Sequence, residues 1–116
     1  MADKVPVFAF HYKNKNYAIP HNRIEDGKIV KVEDEFFFMF RPEDSSVYQS
    51  TAAYNLENRE IEIKNTKWLI SNTNCYFNSS EYKFVGDSPD CPPALQGLDT
   101  FWYTWSLTNP STIILY

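Results

Sequence analysis

The sequence predicts a mainly β fold, or α+β with little helix, built as an antiparallel sandwich or partly open barrel of about seven or eight short strands. Three observations carry that expectation. Aromatic residues make up 17% of the chain while glycine occupies three positions, and aromatic and β-branched side chains fit a pleated, half-buried surface better than a helix. The apolar runs are short and partly alternating, which is the period of a strand with one wet face. Turn signals recur between them, so each element is brief. A length of 116 residues suits a single domain, 1–116, with one hydrophobic core.

VPVFAFHY and NYAIP read as two strands around the polar tip Lys13-Asn14-Lys15-Asn16, where an asparagine takes the positive φ of a tight turn. Pro20 stops the second strand. Its fixed φ suits a first helical position and Gly27 suits a stop, so PHNRIED is expected to form a helical turn or two. KIVKVED alternates, whereas EFFFMFR is a continuous apolar run of the kind covered on both faces; Arg41-Pro42-Glu43-Asp44 ends it. VYQSTAAY and REIEIK follow, the latter with Ile61 and Ile63 on one side and Glu60, Glu62 and Lys64 on the other. TKWLIS and EYKFV complete the strands before the loop GDSPDCPP.

The closing segment DTFWYTWSLTNPSTIILY fits two patterns. On a helical wheel Leu98, Phe101, Trp102 and Trp105 fall at i, i+3, i+4 and i+7, with Asp99 or Thr100 as N-cap. As a strand, Phe101, Tyr103, Trp105 and Leu107 line one face and only Trp102 is out of place. Each buried aromatic removes on the order of 150 to 250 Å² from water, so Phe101, Trp102 and Trp105 are expected in the core. Tyr103 is the expected exposed ring.

Composition removes several function classes. A net charge of −4 argues against broad contact with nucleic acid or anionic lipid, which need a basic face. Residues 1 to 32 form a local exception, with Lys4, Lys13, Lys15, Arg23, Lys28 and Lys31 against Asp3, Glu25 and Asp26; a solvated hairpin face accounts for it. No stretch approaches the roughly 18 apolar residues of a membrane span, and no signal peptide pattern opens the chain. The expectation is a soluble protein, cytoplasmic by default.

Cys75 and Cys91 have no metal-ligand spacing and are expected as two thiols, one of them partly buried beside Tyr76 and Phe77; they pair only where the compartment is oxidising and the fold brings them together. Asn78-Ser79-Ser80 matches the glycosylation acceptor pattern, relevant only to a secreted eukaryotic protein. Glu33-Asp34-Glu35 and Glu43-Asp44 lack the alternating oxygen spacing and glycine turn of a calcium loop and read as charges guarding sheet edges. No metal and no cofactor are expected.

FWYTWSLTNPSTIILY resembles the C-terminal signature of the bacterial and archaeal family called domain of unknown function 3179, in which paired aromatics precede a proline and a threonine. FFFMFRPEDSSVYQSTAAYN is similar to that family's strand, Arg-Pro turn and Ser-rich segment at Arg41, Pro42, Ser45 and Ser46, and NKNYAIPHNRI to its early Tyr-Pro stretch at Tyr17 and Pro20. SNTNCYFN resembles its Thr-Gly-Ser-x-Trp core at Thr73, Asn74, Cys75 and Phe77, with Asn74 for the glycine, Cys75 for the serine and Phe77 for the tryptophan. The resemblance implies a short helix over 99–107 and no particular activity.

No nucleophile elbow, HExxH or glycine-rich phosphate loop is present. His11, at a strand end beside Tyr12, reads as a hydrogen-bonded structural residue. His21 follows Pro20 in an exposed turn and reads as a solvated side chain, and it is the first choice for an acid or base. The leading expectation is therefore a non-catalytic module binding a small ligand or a protein, with His21, Arg41 and Tyr103 as candidate ligand contacts. The alternatives are a hydrolase-like or other enzyme with a site near His21 or His11, and a structural subunit of a homo-oligomer joined through an edge strand or aromatic surface.

Overall fold

A computed structural model describes residues 2–116 except Asp44, Val47 and Tyr48. The expected strand over VYQSTAAY and the Glu43-Asp44 cluster thus lie partly outside the described residues. The fold is mainly β: three sheets, antiparallel in most of their pairings, and one short helix near the C-terminus, with no closed barrel among the described residues. The chain divides into two compact units, one of Met1–Lys28, Phe40–Thr51 and Gln96–Tyr116 and one of Ile29–Met39 and Ala52–Leu95.

In the first unit, β1 (Pro6–Tyr12) and β2 (Lys15–Pro20) form a hairpin in register Phe10↔Tyr17 and Tyr12↔Lys15. Its tip is Lys13-Asn14, at φ 48° and 65°. Two consecutive positive φ values are what a two-residue turn needs to match the right-handed twist of the strands. A 3₁₀ turn, His21–Arg23, follows Pro20 where the sequence expects helical turns. β10 (Leu98–Phe101) pairs with β1, and β11 (Ile113–Ile114) adds in parallel to β2, giving the order β10-β1-β2-β11. Gly97 precedes β10, and a Cβ there would lie 2.3 Å from the Phe8 ring, so only glycine allows this approach.

The short C-terminal helix expected near 99–107 is α1, Trp102–Thr108, which starts three residues later. Residues 98–101 stay extended because they continue a ladder with Pro6–Ala9. Neither Asp99 nor Thr100 caps the helix; its N-cap is Phe101, with no side-chain bond. The orphan N–H groups of Trp102 and Tyr103 instead donate to the carbonyls of Val5 and Asp3, each at 2.9 Å. α1 then lays Trp105 on Val7, Ala9 and Ala18, with Val5 and Trp102 partly buried against the same cluster.

The second unit holds the bulk of β3 (Lys28–Val32) and β4 (Glu35–Phe40), then β5 (Ala52–Asn55), joined as β3-β4-β5. Its other sheet, β6-β7-β8-β9, comprises Ile61–Lys64, Lys67–Ile70, Tyr76–Asn78 and Lys83–Val85. The two sheets meet through aromatic rings: Phe38 lies 5.0 Å from Trp68, 5.0 Å from Phe77 and 5.5 Å from Phe84, and Tyr54 meets Phe84 edge-on at 4.9 Å. From Phe37 to Phe40 the apolar run of β4 is buried on both faces, as its sequence requires, while Phe36 at its start stays exposed.

Cys75 and Cys91 are not two thiols: they form a disulfide, Cα–Cα 5.6 Å. Burial of Cys75 in front of β8 and the return of the 86–91 loop bring them together. Gly86, at φ 151°, permits that return, since a Cβ there would meet the Cys75 Cα at 2.8 Å. Beyond the disulfide the chain runs beside β5, with Asn55 and Leu95 N–H groups donating to the carbonyls of Pro93 and Ala53.

Candidate functional site

The most concentrated polar chemistry lies in the first unit, around Asp99. The β1–β10 register sets Asp99 opposite Phe8, and its carboxylate gathers donors from three other segments. His21 Nε2 lies 2.8 Å from Oδ1. Thr51 donates its backbone N–H to Oδ2 at 2.8 Å and its hydroxyl to Oδ1. Arg41 Nη1 reaches Oδ1 at 3.2 Å. Arg41 is itself held where its backbone pairs with the chain after the 3₁₀ turn, its N–H donating to Ile24 and its carbonyl accepting from Asp26.

Arg41 is 1% exposed and His21 7%. A guanidinium so deeply buried is tolerable only when paired and hydrogen-bonded. Arg41 meets that condition: Nη1 also donates to Gln49 O at 2.6 Å and to Thr51 Oγ1 at 2.9 Å, and Nη2 donates to Ser46 O at 2.6 Å. Burial pulls its pKa below the ordinary value, with Asp99 and Glu25 opposing. For Asp99, burial pushes the carboxyl up, but the bonds from His21 and from the Thr51 side chain and backbone outweigh it and hold the group below the ordinary carboxylate value.

His21 is therefore not a solvated turn residue. Pro20 is buried at the end of β2, and the 3₁₀ turn carries the ring inward to Asp99. With Nε2 turned to Asp99 and the Thr51 hydroxyl bonded to the same carboxylate and to Arg41, the cluster directs its hydrogen-bonding capacity inward. Chemically it can hold a fixed charge arrangement. Arg41, a candidate ligand contact, is spent on it. His11 is exposed; its Nδ1 bonds the Asn16 side chain and its ring packs 5.3 Å from Trp105. Among the described residues no group of three or more His, Cys, Asp and Glu is placed to hold a metal ion.

The closing aromatics split between interior and surface. Trp105 is 7% exposed and donates Nε1–H to Thr112 Oγ1 at 2.8 Å, while Trp102 is half-buried on the same core. Phe101, expected in the core, is 37% exposed, because it ends β10 and so lies off the helix face that carries Trp102 and Trp105. Tyr103, the expected exposed ring, is 54% exposed. Phe101 and Tyr103 line a surface cavity of about 520 Å³ with Thr104, Asp3 and Lys4. The bond from Tyr103 N–H to Asp3 O keeps the N-terminal segment beside the start of the helix. Sequence pattern pointed to Tyr103 here but not to Asp3 or Lys4, which the backbone bonds from Trp102 and Tyr103 to Val5 and Asp3 bring to the cavity.

Of Thr73, Asn74, Cys75 and Phe77, three serve the second unit's frame. Thr73 Oγ1 donates to Ile70 O and accepts from Cys75 N–H, Cys75 is in the disulfide, and Phe77 is buried under Phe38. Asn74 lines a separate, polar depression with Glu62, Lys64 and Asp90. Asn78 Oδ1 accepts from the backbone of Ser80 and Glu81, so the side chain of the glycosylation pattern closes its own turn. Compared with known proteins, the chain matches no family model, no curated protein and no solved structure.

Proposed function

We propose that the chain is a non-catalytic binding module whose ligand rests in the cavity between Phe101 and Tyr103. The observation that carries this reading is a pair of exposed rings beside an ammonium group, Lys4, that has no carboxylate partner among the described residues. Aromatic faces exposed on one depression offer stacking area, and few polar groups are needed to orient what stacks there. The ligand class is a small molecule with a flat ring face, bearing an anionic or hydroxyl group for Lys4, Asp3 or Thr104.

Titration by NMR with benzoate and with a methyl glucoside tests it. Saturable shifts confined to the amides of 3–5 and 101–104, removed by Tyr103→Ala, support the reading. Absence of saturable shifts with both probes, or shifts centred on His21 and Thr51, overturns it. A hydrolase-like alternative draws on the His21–Asp99 pair. It needs a nucleophile facing the imidazole, and the Thr51 hydroxyl is bonded to Asp99.

A further inference from the structure

In the second unit, β6 is the end strand of its sheet. Ser71 N–H donates to Glu60 O at 2.8 Å, continuing the β6–β7 ladder. Antiparallel pairing alternates inward and outward groups, so Glu62 and Lys64 also point theirs at β7. The N–H and C=O of Ile61 and Ile63 therefore point away from the sheet, and neither has a partner among the described residues. These two side chains share a face with Trp68 and Ile70, the face that meets Phe38. That covering ends at the rim: Phe36 is 49% exposed, Ile29 40% and Ile63 63%. Ile29, Phe36 and Ile61 line a groove of about 450 Å³ with Glu60, Glu62 and Arg59.

Charge selects the occupant. Arg59 turns to Glu57 and to the carbonyls of Pro89 and Asp90, and neither Glu60 nor Glu62 makes an ion pair among the described residues, although Lys64 lines a depression with Glu62. Lys31 rests over the Phe36 ring. The unit holds five Lys and Arg against nine Asp and Glu, and so carries the whole net charge of −4. Charged side chains on an edge repel like-charged or purely apolar strands, but they attract a strand bearing cations, and edge protection does not account for the partly exposed Phe36, Ile29 and Ile63.

We infer that the β6 edge and its groove form a docking site for an extended basic segment of another protein, which adds to the sheet as a further strand. Residues opposite Ile61 and Ile63 share their face and are apolar; residues opposite Glu60 and Glu62 emerge on the other face and are Lys or Arg. The recognised pattern is thus strict alternation of apolar and basic side chains.

The test is fluorescence anisotropy with a short labelled peptide in which Val and Lys alternate, against a peptide of the same composition with its lysines in one block. Saturable binding of the alternating peptide and weak binding of the block is the expected result. Ile63→Pro removes one outward N–H while leaving the inward ladder intact, and it should weaken binding by up to roughly tenfold, the value of one lost backbone hydrogen bond. Glu60→Lys with Glu62→Lys alters exposed side chains only, and should move the preference to a Val–Glu peptide. Equal binding of the two lysine peptides, full affinity in folded Ile63→Pro, or unchanged preference after charge reversal overturns the inference. So does a dimer of this chain that Ile63→Pro dissociates.

Discussion

Replacing Asp99 by Ala should cost about 3 to 4 kcal/mol of folding stability. The change strips the acceptor from His21 Nε2, from the Thr51 N–H and hydroxyl, and from one N–H of Arg41. Breaking one side of a buried ion pair costs about 3 to 5 kcal/mol. Arg41 keeps the Ser46 and Gln49 carbonyls, and the Asp99 side chain is 13% exposed, so water can enter the vacated space; both place the loss toward the lower end. Against a total of roughly 5 to 15 kcal/mol for a small protein, that is a large fraction. Urea denaturation followed by tryptophan fluorescence reads it as a lower midpoint.

A second comparison isolates the cause. Arg41→Met combined with Asp99→Asn removes both charges, so it should cost less than the two single changes added, by roughly 1 kcal/mol or more. Stability should also depend on pH through Asp99. Its folded-state pKa lies below the ordinary 3.8, so its contribution is complete above that value and is lost as the pH falls through the folded value. A loss under about 1 kcal/mol on Asp99→Ala, the range of an exposed pair, or strict additivity in the double variant, would refute the reasoning.

Two further outcomes follow from packing and covalent structure. Trp105→Ala opens a cavity over Val7, Ala9 and Ala18 and deprives Thr112 of its donor, and should cost roughly 3 to 5 kcal/mol in thermal or urea unfolding; a variant with wild-type stability would place that ring outside the core. Reduction, or Cys75→Ser with Cys91→Ser, releases a crosslink spanning 16 residues and should lower stability by about 3 kcal/mol, whereas alkylation of the untreated protein at both thiols would contradict the pairing.

Local features were legible in the sequence and non-local ones were not. The turn within Lys13-Asn14-Lys15-Asn16, the stop at Pro20 and the buried part of β4 depend on neighbours a few residues away, and each was readable from spacing. Asp99 lies 78, 58 and 48 residues from His21, Arg41 and Thr51, and no pattern along the chain marks groups that meet over such separations. The alternation of REIEIK reports which side chains share a face, but not whether the face is covered. Ile63 is bare because β6 ends its sheet, and strand order is not written in the periodicity. β8, β10 and β11 escaped notice because elements of two to four residues owe their conformation to the strand beside them.

Asp99 and Arg41 also separate scaffold from site. Ser46, Gln49 and Thr51 lie between β4 and β5, outside both strands, and backbone groups there still need partners. The Ser46 and Gln49 carbonyls find the guanidinium, and the Thr51 N–H finds the carboxylate. These two charges therefore do for Ser46, Gln49 and Thr51 what cross-strand bonds do for residues in a ladder, and a group so committed is poorly placed to hold anything else. By the same reasoning the groups left unspent are the informative ones. In the first unit they are Lys4, Phe101 and Tyr103, and in the second the outward edge of Ile61 and Ile63 beside Glu60 and Glu62. Binding at either place needs no rearrangement of the buried network, so changes at Tyr103 or Glu62 should leave stability near that of the wild type while altering what the surface holds.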